Sequence, residues 1–159
     1  MIILGIDPGS QRCGYAVVEW SSPRRIRYVE CGVFEPARKA ALAVRLGEIS
    51  VGLRQLIDEL HPEEVSVEGV FHGKNARSAL MLGHSRGVAL GAAGERQLPV
   101  FEYAPRTVKR AVTGSGAASK QQVQAMVRVL CALRRPPRLD ASDALAVAIC
   151  HAYRKRGAR

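Results

Sequence analysis

The sequence predicts an α/β protein with one mixed sheet of five strands, flanked by helices. Two observations support this prediction. Three strand-like runs follow one another at the start of the chain, and strand-like and helix-like segments then alternate, which indicates parallel pairing. The chain has 159 residues, 47% of them hydrophobic, which is enough for one core, so we expect a single domain over residues 1–159.

The first half of the chain contains the predicted antiparallel strands. Residues 2–6 are apolar and end in the turn sequence Asp-Pro-Gly-Ser, which predicts a buried central strand. Residues 15–20 and 26–34 have the pattern of two further strands, so we expect a meander of three. From residue 40 to residue 60, leucine and isoleucine recur at helical spacing and predict an amphipathic helix.

The second half contains the alternating elements. Strands are predicted over residues 65–70 and 99–103, with a helix between them that follows Asn75 and extends to about Gln97. Ser119 begins a sequence of the capping-box form, which predicts a helix start, and a last helix is predicted from near Asp140. We expect the basic tail, from about residue 154 to residue 159, to be flexible.

The distribution of charge indicates a polyanionic partner. The net charge is +10, and the first 68 residues contain 8 basic and 10 acidic residues, whereas the rest contain 16 and 4. Nucleic acid is the leading candidate, and the second half is expected to provide the phosphate-binding surface. A basic surface that serves only solubility is the alternative.

Cysteine usage and hydropathy predict a cytoplasmic protein. The cysteines at positions 13, 31, 131 and 150 are widely spaced among apolar neighbours, which is typical of buried free thiols in a reducing compartment. The opening apolar run is too short for a signal peptide, and no later stretch reaches the length of a membrane span.

Four acidic residues occupy positions where a carboxylate is costly. Asp7 ends the first strand, at the carboxyl edge where open α/β sheets place their ligand sites. Glu68 shares a strand face with Ser66, and a central strand covered by helices on both sides has no fully wet face. Asp140 and Asp143 are spaced i, i+3 at the start of an apolar segment, so they share one helix face.

Each acid also has a simpler explanation. Asp7 suits a turn in which its side chain bonds to backbone amides, and Glu68 suits a solvated strand face. Asp140 suits an N-cap, and Asp143 a first-turn acid that the helix dipole favours. Together, however, the four acids predict an oxygen-only site, which prefers Mg²⁺ or Mn²⁺ to Zn²⁺. Two such ions about 4 Å apart would assist phosphodiester hydrolysis.

Four motifs follow one another in a specific order and spacing. They are ILGIDPGS at residues 3–10 followed by Gly14-Tyr15, VEGVF at 67–71, KNA at 74–76 and LDASDALA at 139–146. They resemble the RuvC Holliday junction resolvases, and the likeness also covers residues 83–87, 98–103 and 108–120. Gly69 departs from the family, because many relatives have a polar residue after the glutamate.

The resemblance implies a ribonuclease-H-like fold and a homodimer that resolves four-way DNA junctions in recombination and repair, with a branch-migration helicase complex as partner. It implies an endonuclease that makes paired symmetric nicks with 5′-phosphate and 3′-hydroxyl ends. By position, Asp7, Glu68, Asp140 and Asp143 match the family's catalytic, metal-binding acids. Two Mg²⁺ ions are expected, and Mn²⁺ is expected to substitute.

Basic and aromatic residues are predicted to contact the DNA. The resemblance assigns Lys109 and Lys120 to the active site or the DNA backbone, and Phe71 to base stacking. Independently, Lys120 lies at the positive end of a helix dipole, an unfavourable position that a phosphate would relieve. A solvated lysine, or a core position for Phe71, is the alternative. The remaining predicted phosphate contacts are Lys74, Arg77 and Arg110.

Gly83, Gly87 and Gly91 recur every four residues on one side of a predicted helix. Each costs about 1 kcal/mol relative to alanine, so we expect close packing there, against a second subunit or the chain's own sheet. Two rival functions share part of the pattern. An actin-like ATPase or kinase would share the Asp7 turn but needs a second phosphate loop, and a junction-binding protein without activity would have lost some of the acids.

Overall fold

The computed structural model describes residues 1–22, 25–69 and 76–155, and its elements follow the predicted order. The strands are β1 (Ile2–Asp7), β2 (Cys13–Ser22), β3 (Arg25–Phe34), β4 (Glu64–Glu68) and β5 (Val100–Tyr103). The helices are α1 (Leu42–Leu60), α2 (Ala76–Gly94), α3 (Pro105–Thr113), α4 (Lys120–Leu130) and α5 (Leu139–Lys155). The sequence does not predict α3 as a separate helix.

The five strands form one mixed sheet in the order β3-β2-β1-β4-β5. β1, β2 and β3 pair antiparallel, whereas β1, β4 and β5 pair parallel. The predicted mixed sheet of five strands is therefore confirmed. Because β1 and β4 are parallel neighbours at the centre, their carboxyl ends lie side by side at one edge of the sheet.

Helices cover both faces of the sheet. Leu4 and Ile6 of β1 belong to the core that includes buried residues of α1 and α2. Ile3, which points to the opposite face, belongs to the core formed with α3, α4 and α5. α5 is buried along most of its length, as its apolar sequence predicts. A carboxylate on the α5 face of β1 or β4 is therefore largely shielded from water.

Two glycines allow α5 to lie directly on the sheet. A Cβ at Gly5 would be 2.3 Å from the carbonyl oxygen of Ala144, and one at Gly14 would be 2.1 Å from the carbonyl oxygen of Asp140. Real Cβ atoms do not approach backbone this closely, so any side chain at either position would displace α5. The two glycines thereby fix the position of the first turns of α5 over β1 and β2.

The helix ends of the α3–α4 region have ordinary capping features. Ser119 and Gln122 form both hydrogen bonds of the predicted capping box at the start of α4. α3 begins with Pro105 at a position that suits its fixed φ, and it ends at Gly114, whose φ of 81° favours glycine. These features orient α3 and α4 beside the carboxyl ends of β1 and β4.

The end of α5 differs from the prediction of a flexible tail. The helix continues through Arg154 and Lys155, because Lys155 donates a hydrogen bond to Glu64 and Arg154 lies over the ring of Tyr103. The prediction is wrong for these two residues. Residues 156–159 lie outside the described part of the chain.

Two other expectations concern the burial of the cysteines and the presence of a membrane-spanning helix. The cysteines are free, but only three are buried, and Cys31 is half-buried because it lies on β3 at the edge of the sheet. In the ranges that the structure describes, no helix is both long and apolar enough to cross a membrane.

The glycines of α2 face open space. A Cβ at Gly83, Gly87 or Gly91 would have no atom within 4 Å beyond the helix's own backbone. Packing against the chain's own sheet, one of the two predicted alternatives, is therefore wrong, because α2 contacts the sheet and α1 through other residues such as Ala89, Ala92 and Ala93. A second subunit stays a prediction.

Candidate active site

Asp7 and Glu68 lie side by side at the carboxyl edge of the sheet. β1 and β4 are parallel with Ile6 opposite Val67, so the acid that ends each strand is next to the other. Their side chains share a hydrogen bond. Asp7 lies on the same strand face as Gly5, which contacts α5, so both acids point towards that helix.

α5 adds the second pair of acids to this edge. Gly14 pairs with Asp7 across the sheet, and the backbone of Asp140 rests on Gly14. Asp140 therefore lies over the end of β1, and Asp143 lies one turn further along α5. The N-cap alternative for Asp140 is wrong, because α5 begins at Leu139 and Asp140 is inside its first turn.

The acids interact strongly with one another. Burial raises the pKa of Asp7 to about 8, and the negative charges of Glu68 and Asp143 contribute to the rise, while Lys120 opposes it. Burial and the charge of Asp143 also raise the pKa of Glu68. Three carboxylates thus lie within electrostatic range in a largely water-excluded place, with less positive charge than negative.

Two lysines border the same acids. The Nζ of Lys120 donates a hydrogen bond of 2.6 Å to Oδ2 of Asp143, and Lys109 lowers the pKa of Glu68 through its charge. Both lysines line a pocket of about 190 Å³. The other lining residues are Glu68, Pro105, Val108, Val123, Asp143 and Ala146. The pocket therefore combines an acidic floor with a basic rim.

The donor set fits a hard divalent cation. Among the described residues, the three acids offer carboxylate oxygens at this edge, and such donors suit Mg²⁺ or Mn²⁺. The raised pKa values of Asp7 and Glu68 reflect, beyond burial, a repulsion that a cation between the acids would remove. Within the described ranges, no three acidic, histidine or cysteine side chains already form a closed metal cluster. Asp143 instead bonds to Lys120.

The other predicted site residues are spread over several places. Asp140 acts through its charge on Arg12 and Cys13. Arg110 is exposed on α3 and does not line the pocket, and Arg77 is exposed at the start of α2. Two further predicted residues, Phe71 and Lys74, lie outside the described residues, so their roles stay predictions.

A second polar cluster, which the sequence pattern does not predict, lies under α5. The buried ring of His151 makes 2.6 Å hydrogen bonds to Glu64 through Nε2 and to the hydroxyl of Tyr103 through Nδ1, and Lys155 also bonds to Glu64. We call these four residues the His151 cluster. A histidine in an otherwise apolar helix is the signal that predicts a buried partner.

A surface ion-pair network beside the acids is also missed. Arg12, between β1 and β2, and Arg138, directly before α5, both bond to Glu35 at the end of β3. No spacing pattern in the sequence links these three residues. A larger pocket of about 580 Å³ lies between the α3–α4 loop and α4, but no carboxylate lines it.

The family follows from comparison with known proteins. The family model "Crossover junction endodeoxyribonuclease RuvC" matches residues 3–151. The chain belongs to the RuvC family. Among its RuvC relatives, that of Halorhodospira halophila is 52% identical over 153 residues, which cover 96% of this chain and 90% of the relative. The RuvC of Anaeromyxobacter sp. (strain K) is 52% identical over 155 residues, covering 98% and 82%.

Solved RuvC structures share the fold. The structure of Thermus thermophilus RuvC in complex with a Holliday junction substrate aligns with a TM-score of 0.92 and 33% identity. The alignment covers 99% of this chain and 96% of that chain. The predicted ribonuclease-H-like fold is thereby confirmed, and the recognition of the RuvC family from four short motifs is correct.

Proposed function

We propose that this chain is a crossover junction endodeoxyribonuclease, which resolves Holliday junctions by paired symmetric nicks in DNA recombination and repair. One observation supports this most: Asp7, Glu68 and Asp143 meet at the carboxyl edge of the central strands, and lysines border them. Membership of the RuvC family points to the same activity and to dependence on a divalent metal.

In our proposal the acids hold the metal. Asp7 and Glu68 lie at the ends of rigid central strands, so their positions change little, whereas Asp143 projects from α5 and is bonded to Lys120. Asp140 completes the set from the first turn of α5. When bound, a divalent ion supplies activation of water and stabilisation of the leaving oxygen. We further propose Mg²⁺ as the ion, two ions per site, and Mn²⁺ as a substitute.

The lysines are proposed to position the scissile phosphate. Lys120 is mostly exposed and is paired with Asp143, so a phosphate at the pocket rim offers it an alternative anion. Lys109 borders Glu68 on the same rim. Arg110, Arg77, Lys74 and Phe71 are proposed as contacts further along the DNA.

A homodimer is part of the proposal. A four-way junction has approximate two-fold symmetry, which a symmetric dimer matches. The open glycines of α2, with the exposed side chains of Leu80 and Leu82 on the same helix, provide an apolar face for the second subunit. Light scattering is expected to give twice the chain mass of 17.2 kDa. A branch-migration helicase as partner and a cytoplasmic location also remain proposals.

The decisive experiment compares two DNA substrates. The protein is incubated with a synthetic four-way junction and with a linear duplex of the same sequence, each with Mg²⁺ and with EDTA. We expect symmetric nicks that leave 5′-phosphate ends, in the junction alone and with Mg²⁺ alone. Asp143→Asn is expected to abolish the nicks and to preserve junction binding, because it removes a metal ligand and leaves the basic rim.

Two results would contradict the proposal. Equal cutting of the linear duplex would contradict the selectivity for junctions. Cutting by Asp143→Asn at the wild-type rate would show that the acids at this edge of the sheet do not perform the reaction.

A further inference from the structure

Arg12, Glu35 and Arg138 form a surface ion-pair network beside Asp140. The Nε of Arg12 donates to Oε1 of Glu35 at 2.8 Å, and Nη2 of Arg138 donates to Oε2 at 2.8 Å. The two arginines come from different segments of the chain, and each takes one oxygen of the same carboxylate. Two guanidinium groups therefore converge on one small anion.

The network lies on the Asp140 side of the acids. Arg138 lies two residues before Asp140. Its carbonyl oxygen accepts a hydrogen bond from the backbone N–H of Ser142 in the first turns of α5. Arg12 lies close to Asp140, whose charge helps to raise the pKa of Arg12, after the larger effect of its hydrogen bond to Glu35. Lys120, by contrast, contacts Asp143. Basic side chains thus lie beside the acids on two sides, Arg12 near Asp140 and Lys120 at Asp143.

The carboxylate of Glu35 resembles a phosphodiester in its charge and in its two anionic oxygens. Each carries one negative charge over two oxygens, and guanidinium groups bind either anion through paired hydrogen bonds. The side chains of Arg12, Arg138 and Glu35 are 50%, 55% and 38% exposed. Exposed ion pairs contribute little net stability, so an incoming phosphate can replace the carboxylate at low cost.

We propose that Arg12 and Arg138 form a second phosphate-binding site for the DNA strand that crosses the acid pocket, and that Glu35 occupies this site in the DNA-free protein. The inference rests on the proposed function and extends it. The strand is held on both sides of the scissile phosphate, by the lysines near Asp143 and by the arginines near Asp140. Glu35 competes with DNA and lowers the affinity for any single phosphate backbone.

The test is a mutant cycle on DNA affinity. Fluorescence anisotropy measures binding of a labelled four-way junction in EDTA, over a series of KCl concentrations. Glu35→Gln is expected to bind roughly threefold to fivefold more tightly than wild type, because both arginines are released. The double variant Arg12→Ala, Arg138→Ala is expected to bind about tenfold more weakly and to lose about one unit of salt slope, as the loss of one phosphate contact predicts.

The variant that combines Glu35→Gln with Arg12→Ala and Arg138→Ala distinguishes two explanations. In the first, which we call the clamp, Arg12 and Arg138 bind a phosphate that Glu35 excludes; in the second, Glu35 only repels DNA. If Glu35 acts only by blocking the arginines, Glu35→Gln has no effect once both arginines are alanine. If Glu35→Gln tightens binding equally in that background, Glu35 repels DNA through its charge alone, and the proposal is overturned. A double variant with wild-type affinity and salt slope also overturns it.

A matched control comes from the other face of the sheet. Arg96 makes two 2.8 Å hydrogen bonds to Asp58 of α1, in a similarly exposed pair. Asp58→Asn breaks the pair of Arg96 with Asp58 and removes one negative charge, as Glu35→Gln does, but far from the acids, and is expected to leave junction affinity unchanged. An equal gain in affinity would mean that net charge explains the effect, which contradicts the clamp.

The controls also separate this inference from the proposed function. If wild type neither binds nor nicks junctions, the proposed function fails and the clamp fails with it. If wild type nicks junctions and the double arginine variant binds them equally well, only the clamp fails. Melting temperatures of all variants verify that each is folded.

Discussion

Two polar clusters lie between α5 and the sheet, and they differ in the balance of charge. At the end of α5 near Asp143, three acids interact with one bonded lysine, and the pKa of Asp7 rises to about 8. At the other end, the His151 cluster has one acid, Glu64, with two partners. There, burial alone would raise the pKa of Glu64, but its bonds to Lys155 and His151 outweigh burial and lower it.

The difference indicates which cluster is functional. Buried polar groups that are fully paired hold a fold together, whereas a buried excess of one charge costs stability and persists where function requires it. The side chains of His151 and Glu64 are 1% and 12% exposed, and each bonds to partners that satisfy it. The acids near Asp143 still require positive charge. We therefore expect the two clusters to respond in opposite ways to mutation.

Nicking activity gives the largest expected difference. Asp7→Asn removes a metal ligand and is expected to reduce the junction nicking rate by roughly 1000-fold or more. Glu64→Gln, the matched change of one acid in the His151 cluster, is expected to leave the rate of folded protein within about threefold, because Glu64 touches no reacting group. Single-turnover cleavage with Mg²⁺ measures both. A comparable loss in Glu64→Gln would remove the functional distinction between the clusters.

Unfolding free energy is expected to change in the reverse order. Glu64→Gln breaks an almost buried ion pair and should cost about 2 kcal/mol or more. Asp7→Asn removes a poorly compensated buried charge and should leave stability unchanged or raise it. Urea denaturation at pH 8 in EDTA measures both variants. A larger loss of stability in Asp7→Asn than in Glu64→Gln would be inconsistent with uncompensated charge at the acid pocket.

A third expected difference is the dependence of stability on pH. The folded pKa of Asp7, about 8, lies above the ordinary aspartate value of 3.8, so the folded state binds the proton more tightly than the unfolded state. The stabilisation that protonated Asp7 gives to the folded state is fully present below about pH 4 and is lost as pH rises through about 8. Between pH 5 and pH 8.5 without metal, the melting temperature of wild type should fall by roughly 10 °C more than that of Asp7→Asn. Parallel profiles would exclude a raised pKa at Asp7.

Much of the acid pocket is predictable from sequence because regular geometry connects its parts. Asp7 and Glu68 end central parallel strands, and such ends meet at one edge of the sheet. The spacing of Asp140 and Asp143 fixes one helix face. Sequence does not predict that Lys120 bonds to Asp143, since this contact depends on how α4 packs beside α5.

Other contacts cannot be predicted from the sequence, for physical reasons that differ from one contact to the next. Arg12, Glu35 and Arg138 meet only because three loops end at one edge of the sheet, and loops have no periodicity to extrapolate. The anchoring of Lys155 depends on Glu64, which is distant in the chain and looks like an ordinary surface acid. The stripe of glycines on α2 indicates close packing, but it does not identify the packing partner.

The central claim is that Asp7, Glu68 and Asp143 together bind a divalent cation. Anomalous diffraction from crystals grown with Mn²⁺ tests this most directly, because it locates the ion among the side chains without any assumption about activity. We predict a peak bonded to the carboxylates of Asp7 and Glu68, with Asp143 released from Lys120, and no such peak in crystals of Asp7→Asn. A peak at Glu64 instead, or an unchanged peak in Asp7→Asn, would contradict the claim.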